Sequence, residues 1–159
     1  VNDLLLFSRE ENYSIEPVDP ASLLKETVAA AASGWAGEVE VKTVPGMSAL
    51  ADPDKLRRIL LNGVRNAIQA MGERGVLKIT AQPEGHRLVI RIEDTGPGIP
   101  AAELSRLFTP FYTTKTDGTG LGLAYSKKVI EGMKGGIELS NREEGGAVLA
   151  IRLPIPGEG

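Results

Sequence analysis

Apolar and polar positions recur with two different periods along this chain, and the switches between them outline its elements. The strongest helical signal follows Asp52-Pro53. There Leu56, Ile59, Leu60, Gly63, Val64, Ala67, Ile68 and Met71 step by three and four, and Gly72 supplies a stop. Aspartate caps the open N–H groups of a first turn, and proline is tolerated at the first helical position because the donor it lacks has no intrahelical partner there. The same pair at Asp19-Pro20 opens another helix, with Leu23, Leu24, Thr27, Val28 and Ala31 on one face and Gly34 closing it. A further helix is predicted over Leu121–Met133, ended by Gly135-Gly136, and a short one near Ala101–Leu107.

Period-two alternation predicts a strand of about Glu38–Val44, turned by Pro45-Gly46, and a shorter one near Ser48–Ala51. Two hairpins follow: Val76–Ala81 with Leu88–Glu93 around Pro83-Glu84-Gly85, and Ile137–Asn141 with Ala147–Pro154 around Glu143-Glu144-Gly145-Gly146. Hairpins separated by amphipathic helices predict a largely antiparallel or mixed sheet with helices on one face. At the start, Val1, Leu4, Leu5 and, to one side, Leu6 and Phe7 form an apolar cluster too short to stand alone. Its spacing suits the end of a longer helix as well as a terminal helix docked on its own domain. Glu10–Pro17 is expected to be a linker.

Composition narrows the class. The 159 residues suit one domain, and 42% hydrophobic with 25% charged residues excludes wholesale disorder and a fibre. No stretch approaches the ~20 apolar residues that span a bilayer, and no secretory leader is visible. Zero cysteines exclude disulfides and thiol chemistry, and a single histidine makes a histidine-based metal site improbable. A net charge of −3 argues against a nucleic-acid partner held by charge.

Three segments carry candidate chemistry. Asn62 and Asn66 lie four apart beside the apolar stripe, although asparagine is a poor mid-helix residue. Two solvated positions satisfy that spacing as well as a polar wall beside a cavity, where amide oxygens ligate a hard cation such as magnesium. Asp94-Thr95-Gly96-Pro97-Gly98-Ile99-Pro100 follows a predicted strand. Its glycines permit close approach of a ligand, Asp94 can accept from an exocyclic amine, and Ile99 can cover a flat ring; a tight turn capped by Asp94 is the alternative. Gly118-Thr119-Gly120-Leu121-Gly122-Leu123 leads into a helix N-terminus, which suits polyphosphate, though a flexible hinge shares that composition. It matches neither the P-loop nor the dinucleotide fingerprint. Between the glycine clusters, a Thr-rich segment containing Phe108, Phe111 and Lys115 has the character of a lid, with Phe108 itself expected as core filler.

The succession of these motifs is more specific than any member. LLNGVRNAIQAM, DTGPGIP, LFTPFYTTK and GTGLGL resemble, in order, the N, G1, F and G2 boxes of the catalytic, ATP-binding domain of bacterial sensor histidine kinases. That domain belongs to the superfamily shared with gyrase B, heat-shock chaperone ATPases and MutL. The resemblance covers about Pro17 to Pro156, leaving 1–16 as a helix end plus linker and 157–159 as a tail. LFTPFYTTKTDGTGLGLAYSKKVIE is similar to kinases of the nitrogen-regulation sensor type.

The resemblance implies the Bergerat fold: an α/β (α+β) two-layer sandwich, with a mixed, mostly antiparallel sheet, helices on one face and an ATP lid. It implies ATP and Mg²⁺ as ligands, with ADP as product. Asp94 would take the adenine amino group, and Asn66, assisted by Asn62, would bind the metal. Gly120, Leu121, Gly122 and Leu123 would offer N–H groups to phosphate, with Lys115 at the γ-phosphate. Ala70, Gly96, Gly98, Ile99, Phe111, Thr114, Gly118 and Thr119 complete the implied nucleotide site. One departure stands out: Ala147 occupies a position where the family commonly has threonine, so a hydroxyl contact to the base is lost.

Position 62 separates the branches. The hydrolysing members carry a glutamate one turn before the magnesium asparagine; here Asn62 is an amide without useful basicity. Transfer to a histidine on a separate dimerisation and phosphoacceptor domain is therefore the expectation. His86 lies in a predicted hairpin without the acidic and proline context of a phosphoacceptor, and Val1–Arg9 resembles the end of that domain's second helix. A response regulator as downstream partner, a monomeric isolated domain, a homodimeric full-length protein and a cytoplasmic location, with or without membrane anchoring of the whole, complete the implied picture. A serine kinase of the anti-sigma-factor type and a non-catalytic nucleotide-binding module are the alternatives.

Overall fold

The computed structural model describes residues 12–104, 106, 108 and 121–157. The short strand β1 (Glu16–Val18) leads into helix α1 (Pro20–Ala31), then β2 (Glu38–Thr43), β3 (Ala49–Ala51) and helix α2 (Pro53–Met71). The hairpin β4 (Val76–Glu84) and β5 (Arg87–Glu93) comes next, followed by α3 (Ala101–Leu104), α4 (Leu121–Gly132) and the hairpin β6 (Gly136–Asn141) and β7 (Ala147–Pro154). Five strands make one sheet in the order β2-β4-β5-β7-β6, parallel only between β2 and β4; β1 and β3 pair antiparallel as a separate ribbon.

The sheet is one-sided, as hairpin alternation demands. Cross-strand rows such as Ala81↔Ile90↔Ile151 and Ile79↔Ile92↔Leu149 point into the core. The opposite face carries the Arg91–Glu84 and Arg152–Glu138 ion pairs. From the helical layer Leu24, Leu56, Ile59, Leu60 and Ile130 complete that core with no appreciable exposure. Gly63 lies where the layers are close: a Cβ there would sit 3.0 Å from Leu149 Cδ2 and 3.1 Å from Ile92 Cδ1, so a larger residue would require those side chains on β7 and β5 to shift. Among the described residues no helix is long and apolar enough to cross a membrane.

Both expected Asp-Pro caps form. Asp19 accepts from Ala21 N–H at 3.0 Å, and Asp52 Oδ1 accepts from Asp54 and Lys55 N–H at 3.1 and 3.2 Å. Asp52 does more than cap. Its Oδ2 accepts from Ser14 N–H at 2.9 Å, which fastens the segment before β1 to the start of α2. Tyr13 packs against the core beside this bond, with the Lys55 ammonium 5.6 Å from its ring. The stretch Glu10–Pro17, expected as a linker, is therefore corrected from Tyr13 onward: it docks on the domain and enters a strand at Glu16, paired with Ala51.

Burial pushes the Asp52 carboxyl up, but the Ser14, Lys55 and Asp54 N–H groups and the Lys55 charge together hold it below its ordinary value. A depressed folded-state pKa contributes stability above the unfolded pKa that disappears as pH falls through the folded one. Asp52→Ala is expected to cost about 2 kcal/mol at pH 7, the upper end for a cap, lowering the melting temperature by about 4–8 °C. The gap between the melting temperatures of parent and variant should narrow as the pH falls below the ordinary aspartate value of 3.8.

Some element boundaries move. The β4–β5 turn is the pair Gly85-His86, so Pro83 and Glu84, expected in the turn, belong to the strand. Glu84 and Arg87 close a two-residue loop, which directs the nitrogen of Pro83 away from β5, and β2 no longer pairs with β4 beyond Ala81. A residue without an N–H costs the ladder nothing there. Helix α1 ends at Ala31, short of the expected stop at Gly34; of the short helix expected near 101–107, Ala101–Leu104 is helical and residues 105 and 107 lie outside the described residues. The segment Val1–Arg9 lies outside the described residues.

Candidate functional site

Helix α2 organises the site. Its buried stripe locks its rotation against the sheet, and Asn62 and Asn66, both half-buried, lie along one edge of that stripe. Next to Asn62 comes the first turn of α4: a Cβ on Gly122 would lie 3.0 Å from Asn62 Nδ2. Ser126 Oγ donates to the Gly122 carbonyl at 2.8 Å and stiffens that turn. At the other end of α2 the exposed Ala70 presents its carbonyl oxygen 3.1 Å from where a Cβ of Gly96 would sit, so the Asp94–Pro100 loop lies directly against the last turn of the helix. Asn62 and Ala70 are eight residues apart on one helix, about 12 Å at 1.5 Å per residue, with Asn66 midway.

Asp94 follows the last residue of β5 and is 6% exposed. Its Oδ1 accepts from Gly96 N–H at 2.9 Å and from Ala147 N–H at 3.2 Å. The partner Ala147 thus acts through its main chain, which the missing threonine hydroxyl leaves untouched. Asp94 Oδ2 accepts no hydrogen bond from a described residue. The carboxylate is held by one oxygen and presents the other, the geometry of an acceptor prepared for a donor from outside the chain.

The glycines do what the loop requires. Gly98 has φ +79, and a Cβ there would sit 2.8 Å from Asn141 Oδ1. That oxygen accepts from Ile99 N–H at 2.8 Å, while Asn141 Nδ2 donates to the Ile99 carbonyl at 2.8 Å. Half-buried Ile99 is thereby fixed by a reciprocal pair of bonds from a residue 42 positions away. Neither Asn141 nor its neighbour Arg142 stood out in the sequence. The nearest signal was Asn141-Arg142 at the end of a strand whose hairpin partner begins with Ala147.

The structure thus brings together Asn62, Asn66, Ala70, Asp94, Gly96, Gly98, Ile99 and the α4 start at Leu121, Gly122 and Leu123. Phe111, Thr114, Lys115, Gly118, Thr119 and Gly120 lie outside the described residues. Phe108, expected as core filler, is half-buried, with the Lys127 ammonium 5.9 Å from its ring. His86 is exposed in the β4–β5 turn, as expected.

Over 98% of its length the chain is 34% identical to the sensor histidine kinase ZraS of Escherichia coli K12, of which it spans 34%, about a third. The catalytic domain of the histidine kinase ThkA superposes with a TM-score of 0.82 at 32% identity, covering 89% of this chain and 95% of that one. Full-length ShkA in complex with AMPPNP superposes with a TM-score of 0.83 at 31% identity, covering 97% of this chain and 35% of that one. The expected mixed, mostly antiparallel sheet with a helical layer is borne out by both likenesses. Residues 51–157 match the family of histidine kinase-, DNA gyrase B- and HSP90-like ATPases, and the chain belongs to it.

Proposed function

We propose that this chain is the catalytic domain of a sensor histidine kinase: it binds ATP with Mg²⁺ and transfers the γ-phosphoryl group to a histidine on a separate dimerisation and phosphoacceptor domain. The observation that carries the reading is the linear order along α2. The carboxylate with an open oxygen stands at one end and the N–H-bearing first turn of α4 at the other, with two amides between. Asp94 Oδ2 accepts from the 6-amino group of the base, and Gly96, Gly98 and Ile99 bring main chain and an apolar side chain against the ring. The first turn of α4 turns its open N–H groups and positive dipole end towards phosphate. Asn62 and Asn66 offer neutral, hard oxygen donors between these ends, a donor type that fits Mg²⁺ shared with phosphate oxygens. The metal, when bound, neutralises charge on the transferring group; the chain's own contribution is positioning.

Asn62 favours transfer over hydrolysis. An amide cannot take a proton from water near neutral pH, so the attacking nucleophile is best supplied by a partner. Lys115 at the γ-phosphate, the lid, a response regulator as eventual acceptor, a homodimeric full-length protein and a cytoplasmic position for this domain belong to the same proposal. The relatives it resembles carry the name of sensor histidine kinases, which supports the choice among branches.

Incubation of the 159-residue chain with [γ-³²P]ATP, Mg²⁺ and a separate histidine-bearing dimerisation domain tests the reading. Acid-labile, base-stable label on the partner is the expected result. Acid-stable label identifies a serine kinase instead. Nucleotide binding with no transfer to any acceptor leaves a binding module.

A further inference from the structure

The β6–β7 turn reaches back over the base-recognition loop, and Arg142 is its centre. The Arg142 side chain is only 16% exposed. Its Nη1 donates to the Asp94 carbonyl oxygen at 2.9 Å, its Nε lies 3.4 Å from Glu93 Oε1, and its Nη2 lies 3.7 Å from Glu144 Oε2. The turn itself is closed by Arg142 N–H on the Gly146 carbonyl at 2.8 Å and Gly145 N–H on the Arg142 carbonyl at 3.2 Å. Gly146 has φ +95, and a Cβ on it would fall 1.9 Å from that same Asp94 oxygen. Asp94 N–H donates to the Ala147 carbonyl at 3.0 Å, while Ala147 N–H holds Asp94 Oδ1 at 3.2 Å. Asp94 is therefore gripped from one side by three residues of a single turn, and only Arg142 among them brings a charge.

Nothing in the fold of the hairpin demands a buried guanidinium. A β-turn closes on main-chain bonds alone, and desolvating a cation is costly unless its partners repay it. The partners here are two carboxylates and one carbonyl, and the carbonyl belongs to the residue whose side chain selects the base. We infer that Arg142 is a positioning residue for adenine recognition. By fixing the Asp94 peptide it fixes the direction in which Oδ2 points, and with it the discrimination between a 6-amino and a 6-oxo purine. The inference rests on the proposed nucleotide site and concerns how that site obtains its specificity. It assigns Arg142 no contact with the nucleotide.

The two rival effects of removing Arg142 separate in the choice of ligand. ADP presents a 6-amino donor to Asp94, whereas IDP presents a carbonyl and makes the same remaining contacts. General loosening weakens both alike; a misaimed Oδ2 weakens ADP selectively. Calorimetric titration of the full chain with ADP and with IDP, on parent, Arg142→Met and Arg142→Lys, reads the ratio directly. Methionine keeps the stem's packing and removes every donor; lysine keeps the charge and a donor. Melting curves confirm that each variant is folded.

For Arg142→Met the expected result is an ADP affinity lower by about tenfold, the value of one hydrogen bond to a charged group, with IDP affinity changed less than about twofold. Arg142→Lys is expected to recover part of the ADP/IDP ratio. Asn141→Ala, which frees Ile99 without touching Asp94, should weaken both ligands equally. A folded Arg142→Met variant that keeps the parent's ratio overturns the inference while leaving the nucleotide site standing. A parent chain that binds ADP and IDP equally instead overturns the role given to Asp94, and the reading of the site with it.

Discussion

Asp94→Asn is expected to weaken ADP binding by roughly a hundredfold or more and to turn the base preference towards 6-oxo purines. The direction follows from how the side chain is held. Oδ1 accepts from Gly96 N–H at 2.9 Å and Ala147 N–H at 3.2 Å, so an asparagine at this position keeps its single acceptor on those two donors. Its amide nitrogen then occupies the place of Oδ2 and faces the ligand as a donor. Against a 6-amino group this sets donor against donor and forfeits a bond to a charged acceptor worth about 1.5–3 kcal/mol, with the desolvation of both unpaired groups added. Against a 6-oxo group the same nitrogen finds a partner. A site built to pair a polar group rejects the analogue that leaves it unpaired far more strongly than a merely apolar pocket does. Because the two main-chain donors keep their acceptor, the fold should survive, and the melting temperature should stay near the parent's. Calorimetry with ADP and IDP checks both halves. An unchanged ADP affinity sinks the role of Asp94, whatever the transfer assay shows.

The parts of this site differ in how far they were readable before folding. The Asp52-Pro53 cap, the apolar stripe of α2 and the two asparagines beside it are local: every interaction that defines them spans four residues or fewer, so periodicity alone exposes them. The strand-end aspartate with its glycines was readable from composition and place, although its Oδ1 is also held by Ala147 N–H from 53 positions away. By contrast, Asn141 and Arg142 act on residues 42 and 48 positions away. A single sequence carries no periodic trace of such a pairing, since Asn-Arg at a strand end is unremarkable until the sheet places β7 beside β5. The parallel pairing of β2 with β4 is hidden likewise, because it joins segments on either side of α2. Strand β1 escaped notice because three residues cannot show an alternation, and Asp52, already accounted for as a cap, gave no hint that its second oxygen reaches Ser14. Pro83 misplaced a turn because proline's preference for turns was weighed without knowing that β4 has lost its second neighbour there.

Removing the amide at position 66 should separate metal-dependent transfer from nucleotide binding. Asparagine is a costlier mid-helix residue than alanine by up to ~0.7 kcal/mol, which offsets contacts that Asn66→Ala gives up, and melting curves are expected to show a folded variant. The side chain is half-buried at the edge of the stripe, and its loss leaves the Leu56-to-Ala67 face packed on the sheet as before. In a folded variant, a fall in activity has to come from the site. Asp94 and its loop lie at one end of α2 and the Gly122 turn at the other, so binding of ADP without magnesium should change by no more than about threefold, below 1 kcal/mol. Phosphoryl transfer with Mg²⁺ should drop by at least about a hundredfold, because a bound metal supplies several kcal/mol of charge stabilisation that depends on its being held in place. Titrating Mg²⁺ distinguishes a weakened metal site from a dead one: a shifted requirement with recoverable rate points to affinity, and an unrecoverable rate to orientation. Either outcome places the amide at the metal. Equal transfer by parent and variant at limiting Mg²⁺ would remove Asn66 from that role and leave Asn62, against the first turn of α4, as the amide to substitute next.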